Sequence, residues 1–235
     1  MQGGAFLRKD LLNDSLRLNP TLNQRSIDLQ LSRLVAANIL RRIERGKYKL
    51  ADKNLPEFIY RSSINEQSLY QSLKQQFPFL QICVWCPNVL SLLMLHVPNI
   101  NYCFVDVEKD GIEPIFNALH QMGLKQQILM TPSSKECERY LTGTDSIVVR
   151  QLIGESPIAQ IDNCTVPRIE KILVDAIADN ELHFANGSEI YNIFANVLNQ
   201  YNVNISKLMR YASRRNRKEK LQQIIQTVDY DKSKE

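Results

Sequence analysis

The chain has 235 residues, 44% of them hydrophobic and 23% charged, with nine prolines and eight glycines, which excludes collagen-like, largely disordered and disulfide-dense classes. That length allows one or two domains with a sizeable buried core. The net charge of +4 conceals an uneven distribution: residues 1–53 carry eleven Lys/Arg against five Asp/Glu, residues 54–206 nine against sixteen, and residues 207–220 seven against one. Two basic blocks thus flank an acidic middle, the electrostatic footprint of surfaces that hold polyanions.

The N-terminus lacks the charged-then-apolar order of a signal peptide, and no run of 18 apolar residues is present, so the chain is expected in the cytoplasm with no membrane partner. Phe6, Leu7, Leu11 and Leu12 predict a helix over residues 5–15. Ile27, Leu31, Leu34 and Val35 recur at i, i+4, i+7 and i+8, predicting a helix over about 24–37 whose other face carries Arg25, Ser32, Arg33 and Ala36, with Leu29 a misfit. Asn38 suits the left-handed stop of that helix. The period then shortens: Ile39–Arg45, Gly46 and Lys47–Leu50 read as a β-hairpin around a glycine turn.

A helix followed at once by a basic hairpin is the element order of a winged helix. Arg25, Ser26, Ser32 and Arg33 would face base edges, and Arg41, Arg45 and Lys47 would reach phosphates. The string Asn38-Ile39-Leu40-Arg41-Arg42-Ile43-Glu44-Arg45-Gly46-Lys47-Tyr48 resembles the wing of the AbiEi-type antitoxin family, whose pattern is Gly-x-Ile-x-Arg-x-x-Arg-Gly-x-Tyr. Asn38 stands where that pattern has glycine. One clear helix rather than two precedes the recognition helix, leaving residues 15–22 as the place for a second.

Residues 54–77 read as a linker and connecting helix. From residue 78 strands and helices alternate: strands at 79–85, 102–108, 127–130 and 146–152, with helices from Pro87 to about His96, over 112–122 stopped by Gly123, and near 133–140. Such alternation predicts an α/β layer around a largely buried sheet. The five cysteines, Cys83, Cys86, Cys103, Cys137 and Cys164, mostly sit in apolar runs and are expected as reduced, buried thiols. Cys83-x-x-Cys86 has no second pair, and His96, His120 and His183 are scattered, so no zinc site and no cofactor are expected. Asp106-Val107-Glu108-Lys109 is similar to the acidic cluster of restriction-type nucleases, but Glu108 and Lys109 are adjacent and would point to opposite faces of a strand. No phosphate-binding loop, nucleophile elbow or zinc-helix motif is present, which favours a non-enzyme.

Three further helices close the chain, over 168–179 with Pro167 in its first turn, over 189–199 capped by Ser188, and from Ile205 onwards, before a frayed tail over 228–235. Arg210, Arg214 and Arg217 fall at i, i+4 and i+7, so one helical stripe would present guanidinium groups, flanked by Arg215 and Lys218, to an anion or an acidic partner. Glu170, Lys171 and Asp175 suit an internal salt-bridge network or a partner surface. The strings Val166-Pro167-Arg168-Ile169-Glu170-Lys171-Ile172-Leu173-Val174-Asp175 and Ile205 to Arg215 look like the C-terminal half of the same antitoxin family, and with the wing the resemblance covers roughly residues 20–220.

The expected class is therefore α/β (α+β): a winged helix-turn-helix over 1–53, then an α/β domain with a C-terminal helical bundle over 78–227. The resemblance implies an antitoxin of a type IV toxin–antitoxin pair in a phage-defence setting. It would bind operator DNA as a homodimer and counteract a nucleotidyltransferase-like toxin, which in that family does not require a stable direct complex. Two other readings compete: a stand-alone transcriptional regulator whose α/β domain senses a ligand or partner, and a metal-dependent nuclease built on Asp106 and Glu108.

Overall fold

The computed structural model describes residues 5–19, 23–36, 39–44, 46–50, 55–141 and 143–232, with the side chains of Ala36, Arg41, Glu44 and residues 229–232 left aside. The four-residue spacing of Ile27 and Leu31 puts both on the buried side of α2 (Gln24–Ala36), where they meet Leu40 of β2 (Leu40–Glu44) and Tyr48 of β3 (Lys47–Leu50). A short strand not anticipated from sequence, β1 (Phe6–Leu7), adds to β3, so the antiparallel order is β1-β3-β2. Gly46 turns the hairpin at φ +81°, where a Cβ would be strained. Helix α1 (Arg8–Leu18) begins three residues later than its hydrophobic pattern suggests, because Phe6 and Leu7 are drawn into the sheet. Arg8 then grips Asp28 of α2 through two bonds of 2.6 and 2.7 Å. Between α1 and α2 the described residues hold no further helix, and Asn38 lies outside them.

Ser63 and Glu66 form a reciprocal cap that starts α3 (Ile64–Gln76). The central sheet follows from strands rich in Val, Ile and Phe: β4 (Ile82–Trp85), β5 (Tyr102–Val107), β6 (Gln127–Met130) and β7 (Ser146–Gln151), ordered β4-β5-β7-β6. β5, β7 and β6 run parallel, crossing over through α4 (Ile112–Gln121) and α5 (Ser134–Tyr140), and β4 is antiparallel on β5. Phe79 is 96% exposed and stays out of β4, and the segment after Pro87 is a 3-10 helix that ends at Leu93 rather than near His96.

Two features after the sheet depart from the sequence reading. Residues 158–167 form a hairpin, β8 (Ile158–Ile161) and β9 (Cys164–Pro167), turned by Asp162 and Asn163 at positive φ. Pro167 therefore closes a strand, and Arg168 takes the position before α6 (Ile169–Ala178). Nine of the ten α6 residues are buried, because β9, α7 (Glu189–Gln200), α8 (Ile205–Arg214) and α9 (Lys218–Lys232) all contact it. Ser188 precedes α7 without a side-chain capping bond. One cluster of buried side chains runs from Tyr60 to Val228, separate from the small cluster around Ile27.

Candidate functional site

Arg25, Ser26, Ser32 and Arg33 are all exposed on α2, the faces opposite Ile27 and Leu31. Leu29, 52% exposed, lies among them. The Ser32 hydroxyl donates back to the Asp28 carbonyl at 2.9 Å. β2 contacts α2 directly, which sets the hairpin beside that helix. Lys47 is half-buried in β3, opposite Leu7 on one side and Glu44 on the other. The side chain of Arg41 and the whole of Arg45 lie outside the described residues. Two hairpin cations that the sequence reading left out, exposed Arg42 and half-buried Lys49, belong to the same strands. Lys49 was signalled by the alternation Lys47-Tyr48-Lys49, and Arg42 by its place next to Arg41.

The acidic-basic residues of the middle converge inside the fold. Register places Asp106 of β5 beside Arg150 of β7, so both side chains project from the same sheet face. Asp106 accepts from Arg150 Nε at 2.5 Å, from Lys171 Nζ at 2.6 Å and from Trp85 Nε1 at 2.8 Å. Lys171 also reaches Asp175, one turn along α6, at 2.6 Å. Arg150 extends to Asp179 at 2.8 Å and Asp175 at 3.2 Å, with its guanidinium carbon 3.5 Å from the Phe104 ring centroid. Tyr211 donates to Asp175 at 3.0 Å, and Arg215 bonds Asp175 and Asp179. Three carboxylates thus face three cations behind Trp85 and Phe104, both wholly buried.

This balance shapes the titration of each group. Burial alone would raise the Asp106 carboxyl, yet Arg150 and Lys171 outweigh it and hold it at about 2. Burial opposes the charge of Lys171, but Asp106 and Asp175 push its ammonium above the ordinary value. Asp179, at the edge of the network, is pushed up to about 6 by burial and by the like charge of Asp175.

Glu170 turns elsewhere: its carboxylate accepts the Asn204 amide at 2.8 Å, tying the start of α6 to the start of α8. The C-terminal arginines do not form one stripe. α8 ends at Arg214, Asn216 adopts φ +52°, and α9 begins at Lys218, so Arg217 sits in the break between helices. Arg215, expected on the outward patch, turns inward because the Asp175 and Asp179 carboxylates lie beneath it. Arg210 and Arg214 both pair with exposed Glu155, which Arg214 holds below its usual range. Lys218 is exposed and Arg217 half-buried.

The nuclease-like string is split. Both Asp106 oxygens are engaged in the network, whereas Glu108 accepts the Gln81 amide at 2.8 Å near the surface. Among the described residues no group of three His, Cys, Asp or Glu side chains is placed to hold a metal ion. The histidines stay apart: His96 bonds Glu189 at 2.7 Å, His120 packs edge-on to Phe116, and His183 faces the Asn180 carbonyl. The thiol expectation needs correction, because Cys86 and Cys103 are joined in a disulfide: they sit opposite each other at the open end of the β4–β5 pair. Cys83, Cys137 and Cys164 are free and buried.

Fold and charge arrangement together define a mixed α+β protein with a small basic N-terminal unit and a larger body braced by a buried ion network. The chain belongs to DUF6577, a family of unknown function whose model matches residues 26–231. No curated protein matches the chain. Among the described residues no helix is long and apolar enough to cross a membrane.

Proposed function

We propose that residues 5–50 act as a DNA-binding winged helix, and that the chain is the antitoxin of a type IV toxin–antitoxin pair that represses its own operon as a homodimer. The observation that carries the DNA reading is the exposure of Arg25, Ser26, Ser32 and Arg33 on one helix face directly beside a basic hairpin. In this reading α2 lies in the major groove, and the hairpin cations hold adjoining phosphates. The antitoxin part rests on the resemblance of the α6 and α8 strings. Since Lys171, Asp175 and Arg215 build the interior, the surface that counters a nucleotidyltransferase-like toxin falls to Arg210, Arg214, Arg217 and Lys218. The pairs of Arg210 and Arg214 with Glu155 are exposed, so a partner can displace Glu155 at little cost.

Filter binding across a salt series tests the DNA reading. Arg33→Ala is expected to lose about 1–3 kcal/mol on operator and less on random duplex, as for a base contact. Lys47→Ala is expected to weaken both equally and to lower the salt slope by about 1. Equal losses for Arg33→Ala on both duplexes, with an unchanged slope for Lys47→Ala, overturn the assignment. Growth rescue on co-expression with the neighbouring gene product tests the antitoxin role: the Arg210→Ala, Arg214→Ala double variant is expected to protect less than wild type, and full protection rejects that surface.

A second reading, a stand-alone regulator with a ligand-sensing α/β domain, draws support from a cleft of about 610 Å³ at the leading edge of the parallel strands, lined by Ser68, Ser72, Asn88, Asn101 and Asp145. Operator binding that responds to small molecules, with no effect of any neighbouring gene product on growth, favours it.

A further inference from the structure

Where the N-terminal sheet meets the body, β2, residues 57–58 and the starts of α6 and α8 line a partly open pocket of about 150 Å³. Three cationic residues line it: Arg42 from β2, Arg168 just before α6, and Lys207 in the first turn of α8. Ser206 adds a hydroxyl, and Glu57 and Glu170 are its two carboxylates. Glu170 is already engaged by the Asn204 amide. Arg168 and Lys207 are half-buried, and among the described residues neither side chain has a hydrogen-bond or ion-pair partner. The three cations outnumber the two carboxylates by one, and an anion placed between Arg168 and Lys207 offsets that surplus positive charge.

We propose that this pocket is a binding site for the phosphoryl group of a small phosphorylated molecule. A guanidinium engages a phosphoryl group through two parallel bonds, an ammonium adds a point charge, and a hydroxyl serves a third oxygen. A terminal phosphate carries more negative charge and more free oxygens than a backbone phosphodiester and so matches a guanidinium, an ammonium and a hydroxyl together, which makes it the occupant we assign. Because β2 forms one wall and α6 and α8 the other, the occupant braces the N-terminal unit against the body. The site goes beyond the DNA reading and does not depend on it.

Inorganic phosphate titrated into the full chain at constant ionic strength, followed by thermal melting and calorimetry, tests the site without nucleic acid. The expected result is a saturable rise in Tm, with affinity about tenfold weaker in Arg168→Ala and in Lys207→Ala, partly recovered in Arg168→Lys, and unchanged in Arg33→Ala. A rise no larger than chloride gives at the same ionic strength, or one that survives the Arg168→Ala, Lys207→Ala double variant, overturns the proposal. Competition by an oligonucleotide without terminal phosphates also overturns it, whereas competition only by the 5′-phosphorylated form supports it. Protection of Lys207 from acetylation by phosphate reads the same site in the unmutated protein; no protection counts against it.

Discussion

Lys171 is 2% exposed and touches two carboxylates, Asp106 and Asp175, each at 2.6 Å. Removing one member of a buried ion network leaves its partners charged in a dry interior, which costs more than the network contributes over an apolar replacement. Lys171→Met is therefore expected to lower the unfolding free energy by about 3–5 kcal/mol, read by urea denaturation with the slope compared to wild type. A loss below about 1 kcal/mol would show that water or rearranged arginines compensate. The i, i+4 spacing of Lys171 and Asp175 was legible in sequence. Their partners were not: Asp106 and Arg150 are brought in from strands 65 and 21 residues away from Lys171, and only sheet register sets them side by side. The same fact explains why Asp106 and Glu108 looked alike on paper. Register turned Asp106 towards cations, while Glu108 fell beyond the strand end.

At the scale of elements, periodicity located α2, the β2–β3 hairpin and the parallel strands closely, since packing on one face or both constrains the apolar pattern of each. It failed where the backbone departs from helix for local reasons. Asn216 at positive φ breaks the basic C-terminal run into two helices, and Asp162-Asn163 folds residues 158–167 into a hairpin that lacks any strong apolar alternation. The Cys86–Cys103 bond was unreadable because pairing depends on the meeting of β4 and β5, not on spacing. It closes a 17-residue separation, for which chain entropy predicts a stabilisation of about 3 kcal/mol. The denatured, unreduced protein is expected to titrate three thiols and the reduced protein five, with a lower Tm after reduction. Five thiols before reduction would contradict the bond. In the native state the three remaining cysteines should react slowly, since burial pushes the Cys83 thiol far up and the Cys137 thiol up to about 11.

Across the whole molecule, the ion network couples stability to pH through two carboxyls with opposite senses. Asp106, held at about 2 against an ordinary 3.8, contributes stability that is complete above about pH 4 and is lost as pH falls through 2, about 2 kcal/mol in all. Asp179, raised to about 6, contributes stability that is complete below about pH 4 and is lost as pH rises through 6. The unfolding free energy of wild type relative to Asp179→Asn is therefore expected to fall by at most about 3 kcal/mol between pH 4 and 6, measured by urea denaturation at each pH. A difference that is flat, or that rises over this window, would mean that Arg150 and Arg215 govern Asp179 instead.

The amino-acid order alone determined a basic–acidic–basic chain, a helix-then-hairpin unit at its head and a buried α/β layer in its middle, because charge density and apolar period are properties of neighbouring residues. Tertiary structure decided which charges face outward. Arg215 and Lys171 were drawn inside by carboxylates on α6 and β5, Arg210 and Arg214 kept to the surface, and Arg168 and Lys207 met at a junction between units. The reason is physical: a charge can be buried only where its counter-charge is delivered within hydrogen-bond reach, and that delivery is made by elements far apart along the chain.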